Sequence, residues 1–174
     1  RIDGDVTAVP LDITDVRQIA ELAAWIEREH GRLDVLVNNA GILADSGARA
    51  ENAAPADVRA ALETNLLGAW QLSSALLPLM RRHRYGRIVN VSSGCAGATA
   101  PDAIGYPAYR VSKAALNAYT RALAAELAGS GILVNAVCPG WLATGLGGPG
   151  GGPVERGAAS VVAAACQPEP GVNG

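Results

Sequence analysis

Charge is scarce in this sequence. Charged residues make up 17% of its 174 residues, and the formal net charge is −2. That balance offers no basic surface to nucleic acid or to an anionic membrane, so neither is expected as a partner. Apolar runs of membrane-spanning length are missing as well. The opening Arg1-Ile2-Asp3-Gly4-Asp5 does not read as a signal peptide. Cysteines are few: Cys95, Cys138 and Cys166 are odd in number, widely spaced and form no CxxC pair. Reduced thiols in a cytoplasmic protein are therefore expected, not a disulfide framework. The two histidines, His30 and His83, each close a helical pattern, where a partial positive charge is favourable. No metal site is expected from them. What the chain has in quantity is apolar residues, at 49%, enough for one domain with a buried core.

The apolar spacing defines the elements. Val6 to Leu11 reads as a short strand. Thr14 or Asp15 then caps a helix whose apolar face carries Val16, Ile19, Ala20, Ala23 and Ile26, and Gly31 ends it. Leu33 to Val37 is a second strand that runs into Asn38-Asn39-Ala40-Gly41. After a polar loop, a long helix spans 56–83, with Val58, Leu62, Ala69, Leu72 and Leu76 on one stripe and Asn65 on the same stripe. Gly86 interrupts, and Arg87 to Val91 forms a third strand that ends at Ser92-Ser93-Gly94. A Gly/Ala/Pro-rich loop leads to a helix bearing Tyr109, which runs to Gly129. Ile132 to Val137 is a fourth strand, closed by Pro139-Gly140. Residues 145–153 are nearly all Gly and Pro, a mobile segment or linker. A short helix over 157–166 precedes a Pro-Glu-Pro-Gly turn.

This alternation predicts a single α/β domain over 1–174, a doubly wound parallel sheet with helices on both faces. Its strands are near-continuous apolar runs, as doubly buried strands are. Ligands of such sheets bind beyond the carboxyl ends of the strands. Asp12, Asn38 to Gly41, Ser92-Ser93 and Pro139-Gly140 all fall there.

The helix that begins beyond one of these ends carries Tyr109-Arg110-Val111-Ser112-Lys113. Four-residue spacing puts the phenol and the ammonium on one helical face. A nearby cation favours a phenolate, so the phenol's pKa is expected to be lowered and the group able to exchange protons with an alcohol or carbonyl oxygen. Tyr106 and Arg110 have the same spacing, but Pro107 pushes Tyr106 away from helical geometry. Ser92 and Ser93 point to opposite sides of their strand, so only one of them faces the site.

Asn38-Asn39-Ala40-Gly41, Asn65, Ser93, Tyr109-xxx-Lys113 and Pro139-Gly140 with Thr144 resemble, in order and placement, the short-chain dehydrogenase/reductase family. The run from Gly105 to Leu116 looks like a carbonyl-reductase-type member. The resemblance implies a Rossmann-like fold and hydride exchange between NAD or NADP and a small carbonyl/alcohol substrate. It implies Tyr109 as general acid/base, Ser93 holding the substrate oxygen, Lys113 lowering the Tyr109 pKa and binding the nicotinamide ribose, and Asn65 holding a water. Asn39, Ala40 and Gly41 would line the cofactor cleft, Asp12 and Ile13 would contact the adenine, and Pro139, Gly140 and Thr144 would flank the nicotinamide. It also implies a dimer or tetramer joined through the Asn65 and Tyr109 helices. The family's TGxxxGxG turn does not occur here, so the chain is expected to lack the family's first two strands and pyrophosphate site. The Val6 strand is then expected to have no neighbour. An epimerase or lyase of the same family, and a non-catalytic interaction module, are the alternatives this pattern leaves open.

Overall fold

The computed structural model describes residues 4–97 and 105–174. The middle of the Gly/Ala/Pro-rich loop expected ahead of Tyr109, residues 98–104, lies outside the described residues.

Helix α1 (Val16–His30) starts where the Asp15 carboxylate accepts from the Arg17 N–H at 2.9 Å, so Asp15 and not Thr14 is the cap. It ends at Gly31, whose φ of 67° lets its N–H turn back to the Ile26 and Glu27 carbonyls. Strand β1 (Val35–Asn38) follows. The expected long helix is continuous from Pro55 to His83 but has three parts: α2 (Pro55–Leu62), a π-helical stretch (Glu63–Gly68) and α3 (Ala69–His83). It ends at Arg84 in the left-handed region (φ 50°), not at Gly86, which opens β2 (Gly86–Val91). Helix α4 (Pro107–Glu126), strand β3 (Ile132–Val137) and helix α5 (Val154–Ala165) complete the order. His30 and His83 are the last residues of α1 and α3, as their spacing predicts.

The three strands pair in parallel in the order β1-β2-β3, with Val35 opposite Arg87 and Gly86 opposite Ile132. Alternation along the strands sends Leu36, Ile88, Ile132 and Val134 to one face. There they pack with Ile19 of α1, Leu72, Leu76, Leu79 and Met80 of α3, and Ala124 of α4. Helix α5 covers the other face, where Arg87 donates to the Gln167 carbonyl at 2.7 Å and Asn135 to the Val172 carbonyl at 2.9 Å. Helices on both faces of a parallel sheet confirm the expected fold class.

The stretch from Val6 to Leu11 is not a strand. Residues 4–10 are exposed and, among the described residues, none pairs with them. An apolar run of that length becomes a strand only where a neighbour takes up its backbone hydrogen bonds. On the β1 edge, Val35 and Val37 are 38% and 39% exposed.

A buried polar chain crosses the sheet. The Asn38 amide donates to Ser73 Oγ at 2.9 Å and to Asn90 Oδ1 at 2.7 Å, and the Asn90 amide donates to Thr120 Oγ1 at 2.9 Å. It joins α3, β1, β2 and α4 beneath the strand ends. Asn90 is fully buried, so Asn90→Ala leaves the Asn38 amide with one partner fewer and opens a cavity. The expected loss is about 2–3 kcal/mol. It is measured as a lower urea midpoint with an unchanged slope.

Candidate active site

The carboxyl ends of β1, β2 and β3 and the first turns of α4 converge, and most of the residues singled out above meet there. The π-helical stretch places Asn65 inward; its side chain is 1% exposed. Asn65 Oδ1 accepts from the Ile42 N–H at 2.8 Å, and its amide donates to the Ile42 carbonyl at 2.9 Å. That amide also donates to Ser112 Oγ at 3.0 Å, and the Ser112 hydroxyl donates to the Tyr109 carbonyl at 2.8 Å. Asn65 thus pairs with the chain after Gly41 as a strand residue would, and ties it to α4. Single-turn π segments inside α-helices mark functional positions more often than chance allows.

Lys113 is 4% exposed, and its ammonium donates to the Val91 carbonyl at 2.7 Å. Nζ lies 5.9 Å from the centre of the Tyr109 ring. Among the described residues no carboxylate pairs with it. Burial without a counter-charge pulls its pKa down to about 8. Tyr109 is 9% exposed. Burial raises its pKa, while a hydrogen bond with Ser93 pulls the other way. The spacing predicts a phenol lowered by the lysine, and the structure gives the opposite direction. Desolvation of the ring dominates, and the ammonium is engaged with the end of β2.

Ser93 is the serine that reaches Tyr109. Ser92 is buried, and among the described residues its hydroxyl has no hydrogen-bond partner. Ser92, Ser93, Asn117 and Cys138 together line a cavity of about 210 Å³ between the ends of β2 and β3, so both serines border it, where alternation predicts only one. Tyr106 stands outside the helix with a φ of 48°, so it does not share a helical face with Arg110.

Asn39 and Ala40 are exposed after β1, and Gly41 packs directly on the site. A Cβ at Gly41 would lie 3.3 Å from Asn65 Oδ1 and 3.4 Å from Lys113 Nζ. Beyond β3, Pro139 packs near Gly157 of α5, and Gly140 turns at φ 83°. Thr144 holds its own loop, accepting from the Gly147 N–H at 3.0 Å. The Gly/Pro-rich stretch closes on itself through a bridge between Leu142 and Gly152, with the exposed Trp141 indole donating to the Gly147 carbonyl at 2.7 Å. Asp12 and Ile13 lie apart from the Tyr109 cluster in their hydrogen bonds and packing. The Asp12 carboxylate accepts from the Thr14 N–H and hydroxyl, which lowers its pKa. Ile13 packs against Gly68 and the core.

Sequence reasoning passed over two residues of this cluster. Ser112 lies three residues from Tyr109, a spacing that places it on the same face. Asp45 sits in the loop after Gly41, where no periodicity signals it. Among the described residues no three His, Cys, Asp or Glu side chains gather to hold a metal ion, and no helix is long and apolar enough to cross a membrane.

A parallel sheet whose strand ends bring a serine, a tyrosine, a lysine and an asparagine together defines an α/β protein of Rossmann-like architecture. The family model described as Enoyl-(Acyl carrier protein) reductase matches residues 1–166. The chain belongs to the short-chain dehydrogenase/reductase family. It is 38% identical over 138 residues to "Oxidoreductase UcpA" of Salmonella typhimurium, covering 79% of this chain and 51% of that protein. It is 39% identical over 143 residues to the 3-oxoacyl-[acyl-carrier-protein] reductase FabG of Thermotoga maritima, covering 82% and 56%. The chain spans about half the length of the curated relatives it matches. Among solved structures, the carbonyl reductase Sniffer of D. melanogaster superposes with a TM-score of 0.84 at 28% identity, over 92% of this chain and 71% of that one. The NADPH-bound carbonyl reductase from chicken fatty liver superposes with a TM-score of 0.79 at 27% identity, over 90% and 71%.

Proposed function

We propose that the chain carries the proton-handling residues of a cytoplasmic, nicotinamide-dependent oxidoreductase that interconverts a carbonyl and an alcohol. The observation that carries this reading is the buried Tyr109 with Ser93 on its hydroxyl and Lys113 beside its ring. Tyr109 is the general acid that protonates the carbonyl oxygen, or the base that takes the proton back. Ser93 holds that oxygen against the phenol. Asn65 fixes the Ile42 backbone and, through Ser112, that of Tyr109, and holds a water beside Lys113.

The cluster fits a dinucleotide. Lys113 brings a buried cation that, among the described residues, has no carboxylate partner, and Gly41 leaves beside it a space that a Cβ would fill. Asn39, Ala40 and Gly41 would line its cleft, Lys113 and Tyr109 would meet its ribose, and Pro139, Gly140 and Thr144 would flank its nicotinamide. Asp12 and Ile13 would serve its adenine. NAD or NADP, when bound, supplies or accepts the hydride.

The exposed Leu67, Trp70 and Val111, with Trp70 stacked on Tyr119 at 4.3 Å, give the π stretch, α3 and α4 an apolar outer surface. That surface supports a homodimer or tetramer formed through these helices.

The test is the absorbance change of NADH and NADPH, taken separately, with a panel of aldehydes and ketones. Turnover that the whole protein shows and its Tyr109→Phe variant lacks supports the proposal. Cofactor binding without turnover of any carbonyl sinks it and leaves proton chemistry of the epimerase or lyase kind. Gly41→Ala is expected to lower turnover about tenfold by pressing on Asn65 and closing the space beside Lys113. Its unfolding midpoint should stay close to the parent's.

A further inference from the structure

We infer that Asp45 is a positioning residue for Tyr109, an N-cap for the catalytic helix supplied from the loop after Gly41. The inference rests on the reading of Tyr109 as the acid/base.

Helix α4 has no cap of its own. Tyr106 precedes it in left-handed geometry and offers no side-chain bond, and Pro107 in its first turn has no N–H. The Arg110 N–H already bonds the Tyr106 carbonyl at 3.1 Å. Ala108 and Tyr109 are left with the orphan donors that a helix start must satisfy elsewhere. Both go to Asp45. Its Oδ2 accepts from the Ala108 N–H at 2.6 Å, and its Oδ1 accepts from the Tyr109 N–H at 3.4 Å. Asp45 is 2% exposed and, among the described residues, has no ion-pair partner. The positive end of α4 is its compensation. The two loops meet closely here: a Cβ on Gly105 would lie 3.8 Å from the Gly47 backbone.

The consequence is a closed frame around one residue. The Tyr109 N–H is held by Asp45, and its carbonyl is held by Ser112, which Asn65 holds in turn. Asn65 also clamps Ile42, three residues before Asp45. The loop from Ile42 to Asp45 and the first turn of α4 therefore move as one body. The height of the Tyr109 phenol against Ser93 is set by that loop, and a displacement near an ångström costs on the order of a hundredfold in rate.

The experiment compares Asp45→Ala, Asp45→Asn and Tyr109→Phe in the whole protein, assayed below the unfolding midpoint of each. Asp45→Ala is expected to lower kcat about tenfold to a hundredfold while cofactor affinity stays within about twofold. Asp45→Asn keeps one acceptor oxygen and is expected to recover part of that loss. A general loss of structure would move affinity and kcat together and would not be rescued in this way. Parental kcat in a folded Asp45→Ala protein overturns the inference while Tyr109→Phe remains inactive. If Asp45→Ala does not fold, Asp45→Asn decides: a several-fold lower kcat supports the role, and parental kcat overturns it. Full turnover in Tyr109→Phe removes the catalytic reading itself, and the positioning role with it.

Discussion

Lys113→Met yields a more stable and inactive protein. At neutral pH the parent carries a cation at 4% exposure that donates to the Val91 carbonyl and, among the described residues, pairs with no carboxylate. Its pKa of about 8 against an unfolded value near 10.5 measures the cost of that burial. A shift of that size corresponds to on the order of 3 kcal/mol against the folded state. Methionine fills similar space without charge and forfeits one hydrogen bond. The net expectation is a gain of about 1–3 kcal/mol at pH 7, read from denaturant midpoints. The sign with pH follows from proton binding. Between pH 8 and 10.5 the unfolded chain holds more protons on this lysine than the folded one. The penalty is therefore complete below about pH 8 and fades as pH rises toward 10.5, so the advantage of the variant shrinks across that window. A parent more stable than Lys113→Met at pH 7 overturns the argument. Because Lys113 is the only lysine in the sequence, selective lysine labelling gives one resonance whose titration reads this pKa directly.

That single lysine shows what a sequence makes legible. Every other basic side chain, histidine aside, is an arginine, and the lone ammonium sits buried one turn from Tyr109. The helices, β2 and β3 were readable because each pattern repeats over one element, and period needs no knowledge of partners. Val6 to Leu11 fails as a strand for the converse reason: its apolar run is local, but a strand is a relation between segments, and none of the described residues completes it. The direction of the Tyr109 pKa failed likewise. Spacing puts a cation one turn away, but burial of the ring depends on how α4 packs, and desolvation outweighs the neighbour. Asp45 carries no periodic signal, and its partners lie 63 and 64 residues away. Ser112 is legible in the spacing, one turn from Tyr109, whose carbonyl its hydroxyl reaches.

Tyr109→Phe is expected to lower carbonyl turnover about a hundredfold to ten-thousandfold while leaving the fold intact. The ring stays, with its edge-on contact to Tyr106 at 6.3 Å, and only the hydroxyl at Ser93 is lost. The pH profile separates this role from a merely structural one. Burial raises the phenol from 10.0, so at neutral pH it is protonated and loaded as an acid. Carbonyl reduction should therefore hold level through neutral pH and fall only as the phenol ionises. Alcohol oxidation needs the phenolate and should climb with pH toward the same limit. A lysine-lowered phenol would bring both limbs down toward neutrality, so their position decides between burial and the ammonium as the governing influence. Ser93→Ala removes the one hydrogen bond that favours ionisation and should move both limbs further up. Limbs that stay put in Ser93→Ala, or a Tyr109→Phe protein that keeps turnover within about tenfold of the parent, would take the proton away from Tyr109.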